Sequence, residues 1–228
     1  MSDSATRVSK AQQRREQRRR AQKAAARRRL LGWIAAGVVL LAVVVLVAVL
    51  TTGGAVPGPD LEEVAGSPEI TGDALAGAPE DPTQDPEIGS RAPVATGEDF
   101  DGDAVVVGEG AQAELIMFMA SWCPACQQEL PEVVAWLEEG RLPDGVRLVS
   151  VATRHDPTAG NWPPQDWFER EGFDGPVLVD DAESSVATAY GLRATPYWVA
   201  LDADGEVVAR ISGMIGADEL DVLADAVG

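Results

Sequence analysis

The feature that most constrains this chain is an uncharged apolar segment of 21 residues at positions 30–50, LLGWIAAGVVLLAVVVLVAVL. At a rise of about 1.5 Å per residue, a helix of that length matches the roughly 30 Å hydrocarbon core of a membrane. A cleavable signal peptide has a shorter apolar core, about 7 to 15 residues, followed by a small-residue cleavage site. The segment therefore predicts a single transmembrane helix that anchors the chain in membrane lipid.

Charge is segregated around this segment. Residues 1–29 contain 11 of the 18 basic side chains and two acids, whereas the remainder contains 7 Arg, no Lys and 35 acids. Basic flanks of membrane helices are retained on the cytoplasmic side. We therefore expect residues 1–29 to form a basic cytoplasmic segment and everything after the anchor to be extracytoplasmic. The acidic remainder also argues against nucleic acid as a partner.

The stretch after the anchor has the composition of a linker. Residues 53–90 contain six Pro, seven Gly and nine acids without a basic residue. Such a sequence buries too little apolar surface to offset the loss of chain entropy on folding. We therefore expect an acidic, flexible linker at residues 51–90 and a folded domain at residues 91–228.

The folded domain alternates strand-like and helix-like patterns. Apolar runs predict strands at 104–107, 115–120, 146–152, 176–179, 197–201 and 206–211. Helical spacing predicts helices at 124–139, 165–171, 182–190 and 217–227. This order predicts an α/β fold in which helices flank a central mixed sheet.

Two cysteines stand where a buried strand passes into a helix, in the sequence Trp122-Cys-Pro-Ala-Cys. Unpaired N–H groups at the start of a helix favour a thiolate and lower the pKa of a nearby cysteine. We therefore expect Cys123 to be an exposed nucleophile that forms a mixed disulfide. Cys126, one turn into the helix, would be the resolving thiol.

The cysteine pair also allows three other interpretations. A structural disulfide would close a very small loop and gain little stability. Zinc would need two further ligands, and His155 is the single histidine of the chain. Copper(I) held by Cys123, Cys126 and His155 stays open as a metallochaperone-like alternative. Redox exchange is favoured, and it requires no metal and no cofactor.

Three further aromatic or imidazole side chains follow the predicted strand at 146–152. His155 is expected to be a solvated loop residue. Trp162 and Trp167 belong to a Pro-rich insertion, HDPTAGNWPPQDW. This insertion fits either a partner-binding edge or an aromatic cover for the sheet, and the cover is favoured.

Four motifs carry a resemblance to a known family. They are Ile88–Pro93 (IGSRAP), Phe118–Cys126 (FMASWCPAC), Glu129–Pro131 (ELP) and Ala194–Pro196 (ATP). Together they resemble the thioredoxin superfamily, and more narrowly its membrane-tethered, extracytoplasmic TlpA-like branch, which includes the thioredoxins of cytochrome c maturation. The resemblance extends from about residue 88 to the C-terminus.

The resemblance implies roles for the loop opposite the cysteines. The Thr195–Pro196 bond would be cis and would face Cys123, with the backbone groups of Thr195 pairing with an incoming substrate strand. Proline would keep other ligands away from the thiols. Trp122 would pack beside the cysteines and shape the surface on which the substrate docks.

The resemblance also implies a role for Glu129, which follows Cys126 by three residues on nearly the same face of the helix. Its match in the family is a buried or half-buried acid that relays a proton to or from the resolving cysteine. A solvated helix acid is the alternative. Cytoplasmic thioredoxins carry a buried Asp in the strand where this chain has Met117, which leaves Glu129 as the local proton acceptor.

The resemblance finally implies a thiol-disulfide oxidoreductase acting on disulfide-containing extracytoplasmic proteins, apocytochrome c among them. Reduction in that compartment needs electrons from a membrane electron-transfer protein that acts as thiol donor. The 69 residues between Cys126 and Pro196 are too few for the helical insertion of disulfide-forming oxidases. Reduction is therefore favoured, with an oxidase as the alternative. A peroxidase is disfavoured because Trp122 precedes a Cys-x-x-Cys pair.

Overall fold

A computed structural model describes residues 59–228. The predicted basic segment at 1–29, the predicted transmembrane helix at 30–50 and the first part of the predicted linker lie outside the described residues. None of the helices in the described range has the length and hydropathy needed to span a bilayer.

The described part of the chain contains eight strands, five α-helices and one 3-10 turn, at Pro82–Gln84. The strands are β1 (Glu69–Thr71), β2 (Val94–Glu98), β3 (Ala104–Val107), β4 (Ala113–Met119), β5 (Val146–Ala152), β6 (Val177–Val179), β7 (Tyr197–Leu201) and β8 (Val207–Ser212). The helices are α1 (Leu61–Val64), α2 (Pro124–Glu138), α3 (Pro164–Glu171), α4 (Ser185–Ala189) and α5 (Ala217–Asp225).

Five strands form a mixed central sheet in the order β6-β5-β4-β7-β8. Strands β4, β5 and β6 are parallel, whereas β7 runs antiparallel to both β4 and β8. Every residue of β4 is buried, which is typical of a central strand that is covered on both faces. The predicted mixed sheet is therefore present, with β5 and β7 at their predicted bounds.

The two faces of this sheet carry separate apolar clusters. Leu115 and Met117 of β4 pack with residues of α2, α3 and α5. Ile116 and Phe118 of the same strand point to the other face, where they pack with α4 and with residues from the second sheet. The alternation of side chains along β4 thus separates the helix that carries the cysteines from the N-terminal part of the described chain.

A second, three-stranded antiparallel sheet has the order β1-β2-β3. Strand β1 comes from the predicted linker and pairs with β2 through Ile70 and Ala95. Further along the same segment, Leu75 and Ala78 are buried, and Asp85 forms a buried ion pair with Arg210.

The prediction of a flexible linker is therefore wrong for residues 59–90. Composition indicated a segment that could not form its own core. The partners that stabilise it, however, come from β2, α4 and β8, which lie far away in sequence.

Candidate active site

The two cysteines lie at the junction of β4 and α2. Cys123 is the N-cap of α2, with Pro124 at the first helical position, where a missing N–H costs nothing. Its own N–H donates to the Ala120 carbonyl at 2.9 Å, and its carbonyl accepts from the Gln127 N–H at 3.0 Å. The backbone on both sides of Cys123 is thus fixed by hydrogen bonds.

Both thiols are free, and both are more enclosed than the sequence indicated. Cys126 is fully buried, and Cys123 retains only 7 % of its accessible surface. The expectation of an exposed Cys123 is therefore wrong in degree. The loop before β7 lies against the thiol, so little of the Cys123 surface is open to a partner.

That covering loop carries Thr195 and Pro196, which the sequence placed opposite Cys123. The Thr195–Pro196 peptide bond is cis. The Sγ atom of Cys123 lies 3.4 Å from the Thr195 carbonyl oxygen, within hydrogen-bond distance for a thiol donor. The Pro196 carbonyl accepts from the Gly213 N–H at 2.8 Å, which fixes the loop to the end of β8.

The two thiols have opposite pKa shifts. Burial disfavours the Cys123 thiolate, but hydrogen bonds with the Thr195 side chain and with Cys126 and Ala125 outweigh it, so the pKa of Cys123 is lowered. Burial raises the pKa of Cys126 to about 12, with a smaller contribution from the charge of Cys123. The pair therefore consists of an ionisable nucleophile and a protonated second thiol.

Glu129 lies in the core beneath the cysteines and is fully buried. Its Oε1 atom accepts two hydrogen bonds, from the Trp198 indole N–H at 3.1 Å and from the Ile215 N–H at 2.6 Å. Its Oε2 atom is buried without a hydrogen-bond partner among the described residues. Burial raises the pKa of Glu129 to about 7, against the opposing effect of the two donors. The alternative of a solvated helix acid is therefore wrong.

Trp122 is partly exposed at the surface next to Cys123, with 36 % of its area accessible. Its indole N–H donates to the Arg154 carbonyl at 2.6 Å. The side chains of Gln127 and Asn161 both donate to the Ser121 carbonyl, at 2.8 and 3.1 Å. The turn that precedes Cys123 is thus fixed by side-chain hydrogen bonds to its backbone and from Trp122 to Arg154.

His155 is not the solvated residue that the sequence predicted. It is partly buried, its Nε2 lies 3.0 Å from the Asp180 carbonyl, and its ring packs edge-on against Trp162. Burial lowers the pKa of its imidazole. No group of three or more His, Cys, Asp or Glu side chains within residues 59–228 is arranged to hold a metal. The structure therefore does not assemble the three-residue copper site.

The two tryptophans of the insertion differ in environment. Trp167 is fully buried in the cluster beneath α2. Trp162 is partly buried, donates its indole N–H to the Pro59 carbonyl at 2.6 Å and precedes a second cis proline, Pro163. Trp167 thus acts as aromatic cover for the sheet.

Sequence reasoning missed Trp198 and the Ile215 N–H, the two donors to Glu129. Trp198 lies on β7 opposite Met117 of β4, and Ile215 follows β8. The two donors are 69 and 86 positions from Glu129. A tryptophan inside the apolar strand Tyr197–Leu201 was the available signal, because a buried indole N–H requires an acceptor.

A Cys-x-x-Cys dithiol at the start of a helix, a cis-proline loop against it and a mixed five-stranded sheet define a thioredoxin-like protein. A profile of the Redoxin family matches residues 87–224. The chain belongs to that family, which agrees with its resemblance to the TlpA-like branch.

Relatives of known name point the same way. MauD of Methylophilus methylotrophus, a methylamine utilization protein, is 32% identical over 130 residues, covering 55% of this chain and 56% of the relative. The thiol-disulfide oxidoreductase ResA of Halalkalibacterium halodurans is 26% identical over 113 residues, covering 49% of this chain and 60% of ResA. The chain therefore matches little more than half the length of these relatives.

Solved structures confirm the fold. The thioredoxin domain of a thiol-disulfide oxidoreductase from Bacteroides vulgatus superimposes with a TM-score of 0.51 at 21% identity, covering 62% of this chain and 98% of that domain. A thiol:disulfide interchange protein from Chlorobium tepidum gives a TM-score of 0.50 at 23% identity, covering 60% and 96%. The described domain thus has the thioredoxin-like α/β fold.

Proposed function

We propose that this chain is a membrane-tethered, extracytoplasmic thiol-disulfide oxidoreductase that reduces disulfides in protein substrates. The observation that carries the proposal is the position of the Cys123 sulfur, at the start of α2 and 3.4 Å from the Thr195 carbonyl. A nucleophilic sulfur at that point meets a substrate disulfide presented along the loop. The name of ResA, a thiol-disulfide oxidoreductase, is consistent with this chemistry. The name of MauD, a methylamine utilization protein, does not specify a reaction.

The first step is attack by the Cys123 thiolate on one sulfur of the substrate disulfide. A bond forms between Cys123 Sγ and that sulfur, the substrate S–S bond breaks, and the other substrate sulfur leaves as a thiolate that takes up a proton. The lowered pKa of Cys123 increases the fraction of the sulfur that is present as thiolate. Backbone groups of Thr195 hold the substrate strand beside the sulfur.

The second step releases the substrate. Cys126 transfers its proton to the Glu129 carboxylate and attacks Cys123 Sγ. This forms the Cys123–Cys126 disulfide and expels the second substrate sulfur as a thiolate. Two electrons thus pass from the protein dithiol to the substrate. Cys126, with a pKa of about 12, needs such a base, and the pKa of Glu129, about 7, suits it.

The chain between Cys126 and Pro196 supports reduction as the direction. After α2 it holds two further helices, α3 with eight residues and α4 with five, so it lacks the helical insertion of disulfide-forming oxidases. A membrane thiol donor, reducing the Cys123–Cys126 disulfide by the reverse exchange, completes the cycle. The resemblance to thioredoxins of cytochrome c maturation makes apocytochrome c the first substrate to test.

Trapping tests the proposal directly. The C126S variant, expressed as the full chain in cells, is expected to accumulate mixed disulfides on Cys123 that thiol reductants release. The C123S variant is the matched control, since it retains one buried thiol but lacks the nucleophile. Absence of adducts on C126S, together with failure of the wild-type chain to reduce insulin disulfides, would overturn the proposal.

Tethering is tested separately. The apolar segment 30–50 and its basic flank are proposed to hold the chain in the membrane with the domain outside the cytoplasm. We expect the full chain to sediment with membranes, to resist carbonate extraction and to be accessible to protease from the extracytoplasmic side. Deletion of residues 30–50 should release it. Recovery of the full chain in the soluble fraction would contradict the anchor.

A further inference from the structure

The carboxyl group of Glu129 is held asymmetrically. Both hydrogen bonds to it end on Oε1, from the Trp198 indole at 3.1 Å and from the Ile215 N–H at 2.6 Å. Oε2 is buried and has no protein partner in the described part of the chain. The asymmetry is fixed by the fold, because Trp198 is fully buried on β7 opposite Met117, and the Ile215 donor belongs to the backbone.

We propose that Trp198 is a positioning residue, whose indole N–H, together with the Ile215 N–H, reserves Oε1 of Glu129 as a permanent acceptor and leaves Oε2 as the oxygen that exchanges a proton with Cys126. The inference rests on the proposed function for its chemistry, although the geometry of the carboxyl stands without it.

The argument follows from what each oxygen of a carboxyl can do. A protonated carboxyl has one carbonyl oxygen, which only accepts, and one hydroxyl oxygen, which carries the proton. An oxygen that faces two N–H donors cannot carry a proton directed at either of them. The proton of neutral Glu129 therefore resides on Oε2. The exchange balances as Cys126–SH and Glu129–COO⁻ giving Cys126–S⁻ and Glu129–COOH.

Titratable groups near Glu129 come from its own helix. Cys126 precedes it by one turn, and the charge of Glu132 adds to the rise in the pKa of Glu129. The facing strands β4 and β7 present Met117 and Trp198, which do not titrate. Arg210 of β8 lies on the opposite face of the sheet, paired with Asp85. Trp198 and the Ile215 N–H are thus the fixed polar contacts that favour the carboxylate.

The first test observes the indole itself. In the reduced wild-type chain labelled with ¹⁵N, the chemical shift of the Trp198 indole should change with pH. The midpoint of the change should lie near 7, the pKa of Glu129. The shift should vanish in E129Q. The Trp136 indole donates to Asp221, whose pKa is lowered by its hydrogen bonds with Arg141 and Trp136, and should not move in this range. A Trp198 resonance that is flat from pH 5 to 9 would overturn the proposal.

The second test changes the donor. The W198F variant keeps an aromatic ring but removes the indole N–H. That N–H donor stabilises the Glu129 carboxylate more than the protonated acid. The midpoint of the ¹³C-labelled Glu129 carboxyl should rise by about one pH unit, and the pH profile of substrate release from the mixed disulfide should move with it. W136F, which loses a hydrogen bond to Asp221 at 2.8 Å, and W167F, whose N–H has no hydrogen-bond partner within residues 59–228, are controls for loss of an indole from the same core.

The outcomes separate the two proposals. If the Glu129 carboxyl titrates with the same midpoint in W198F as in W136F and W167F, the positioning role of Trp198 is refuted. A Trp198 resonance that titrates with Glu129 in a chain that exchanges no disulfides would leave the positioning intact and refute the proposed function. Should W198F not fold, the titration of the wild-type indole alone decides the question.

Discussion

Asp85 and Arg210, separated by 125 positions in sequence, form an ion pair in which both side chains are completely buried. The Arg210 Nε–H donates to Asp85 Oδ2 at 2.7 Å, and a second guanidinium nitrogen donates to the Ala76 carbonyl at 2.6 Å. The pair joins the N-terminal segment of the described chain to β8, the strand that leads to Gly213 and the active-site loop.

Removal of one charge of this pair should be strongly destabilising. The D85N variant leaves the guanidinium buried without an anion, and we expect a loss in the free energy of unfolding on the order of 3 to 5 kcal/mol. Urea unfolding followed by tryptophan fluorescence measures it. D218N is the control, because Asp218 is fully exposed and 4.0 Å from Arg141, so its replacement should leave the free energy of unfolding almost unchanged. Equal stabilities for the two variants would refute a structural role for the segment.

The thiols should react in a fixed order. With the reduced chain at pH 7, iodoacetamide should modify Cys123 and leave Cys126 untouched. At a pKa of about 12, Cys126 has a thiolate fraction on the order of 10⁻⁵, and its sulfur is buried. Peptide mapping by mass spectrometry gives the order. In denaturant the two cysteines should react at similar rates, and a folded chain labelled first at Cys126 would reverse the assignment of nucleophile and resolving thiol.

Glu129 should make stability depend on pH in a defined window. Its pKa is about 7 in the folded chain and 4.5 when unperturbed. Between these values the unfolded state binds fewer protons, so the wild-type chain loses stability as pH rises from 4.5 to 7. E129Q, whose amide oxygen keeps the acceptor for Trp198, should lack this loss. The free energy of unfolding of E129Q should exceed that of the wild type by almost nothing below pH 4.5 and by on the order of 3 kcal/mol above pH 7.

The control for this titration is E138Q. Glu138 is exposed at the end of the same helix, so its replacement removes a carboxylate without changing the core. Urea midpoints measured from pH 4 to 8 for the three proteins give the comparison. A constant difference between E129Q and the wild type across this range would show that the folded Glu129 titrates like a solvated acid.

The reduction potential should separate reductase from oxidase. We expect the Cys123–Cys126 couple to equilibrate with glutathione or dithiothreitol at a potential closer to the thioredoxin value of about −270 mV than to the −120 mV of a strong oxidant. The separation of about 150 mV corresponds to roughly 7 kcal/mol for two electrons. A value near −120 mV would reverse the proposed direction of electron flow.

Strands β5 and β7 could be predicted to the residue, because each is a predominantly apolar run between residues that end it. Strand β2 (Val94–Glu98) could not, since its residues alternate in burial and include Gly97. Strand β1 and the buried Asp85 escaped prediction for a different reason. Their partners, Ala95 and Arg210, are supplied by the tertiary fold and leave no local pattern.

The site shows the same division. The motifs placed Cys123, Cys126, Thr195 and Pro196, which the structure brings together at one end of the sheet. The degree of enclosure could not be read from them, because it depends on how closely the loop before β7 approaches α2. The two donors to Glu129 could not be predicted for a related reason. One depends on the register of β7, which carries Trp198, and the other is the backbone N–H of Ile215 after β8.

The burial of Cys126 has a consequence for the residence time of a captured partner. In the proposed mechanism, a substrate linked to Cys123 leaves only after the enclosed thiol has lost its proton, and the acceptor, Glu129, has a pKa of about 7. Each unit of acidification below that value reduces the ionised fraction of Glu129 about tenfold. We therefore expect the covalent complex to persist longer as its surroundings acidify, so that the pH of the compartment would set how long the partner stays attached.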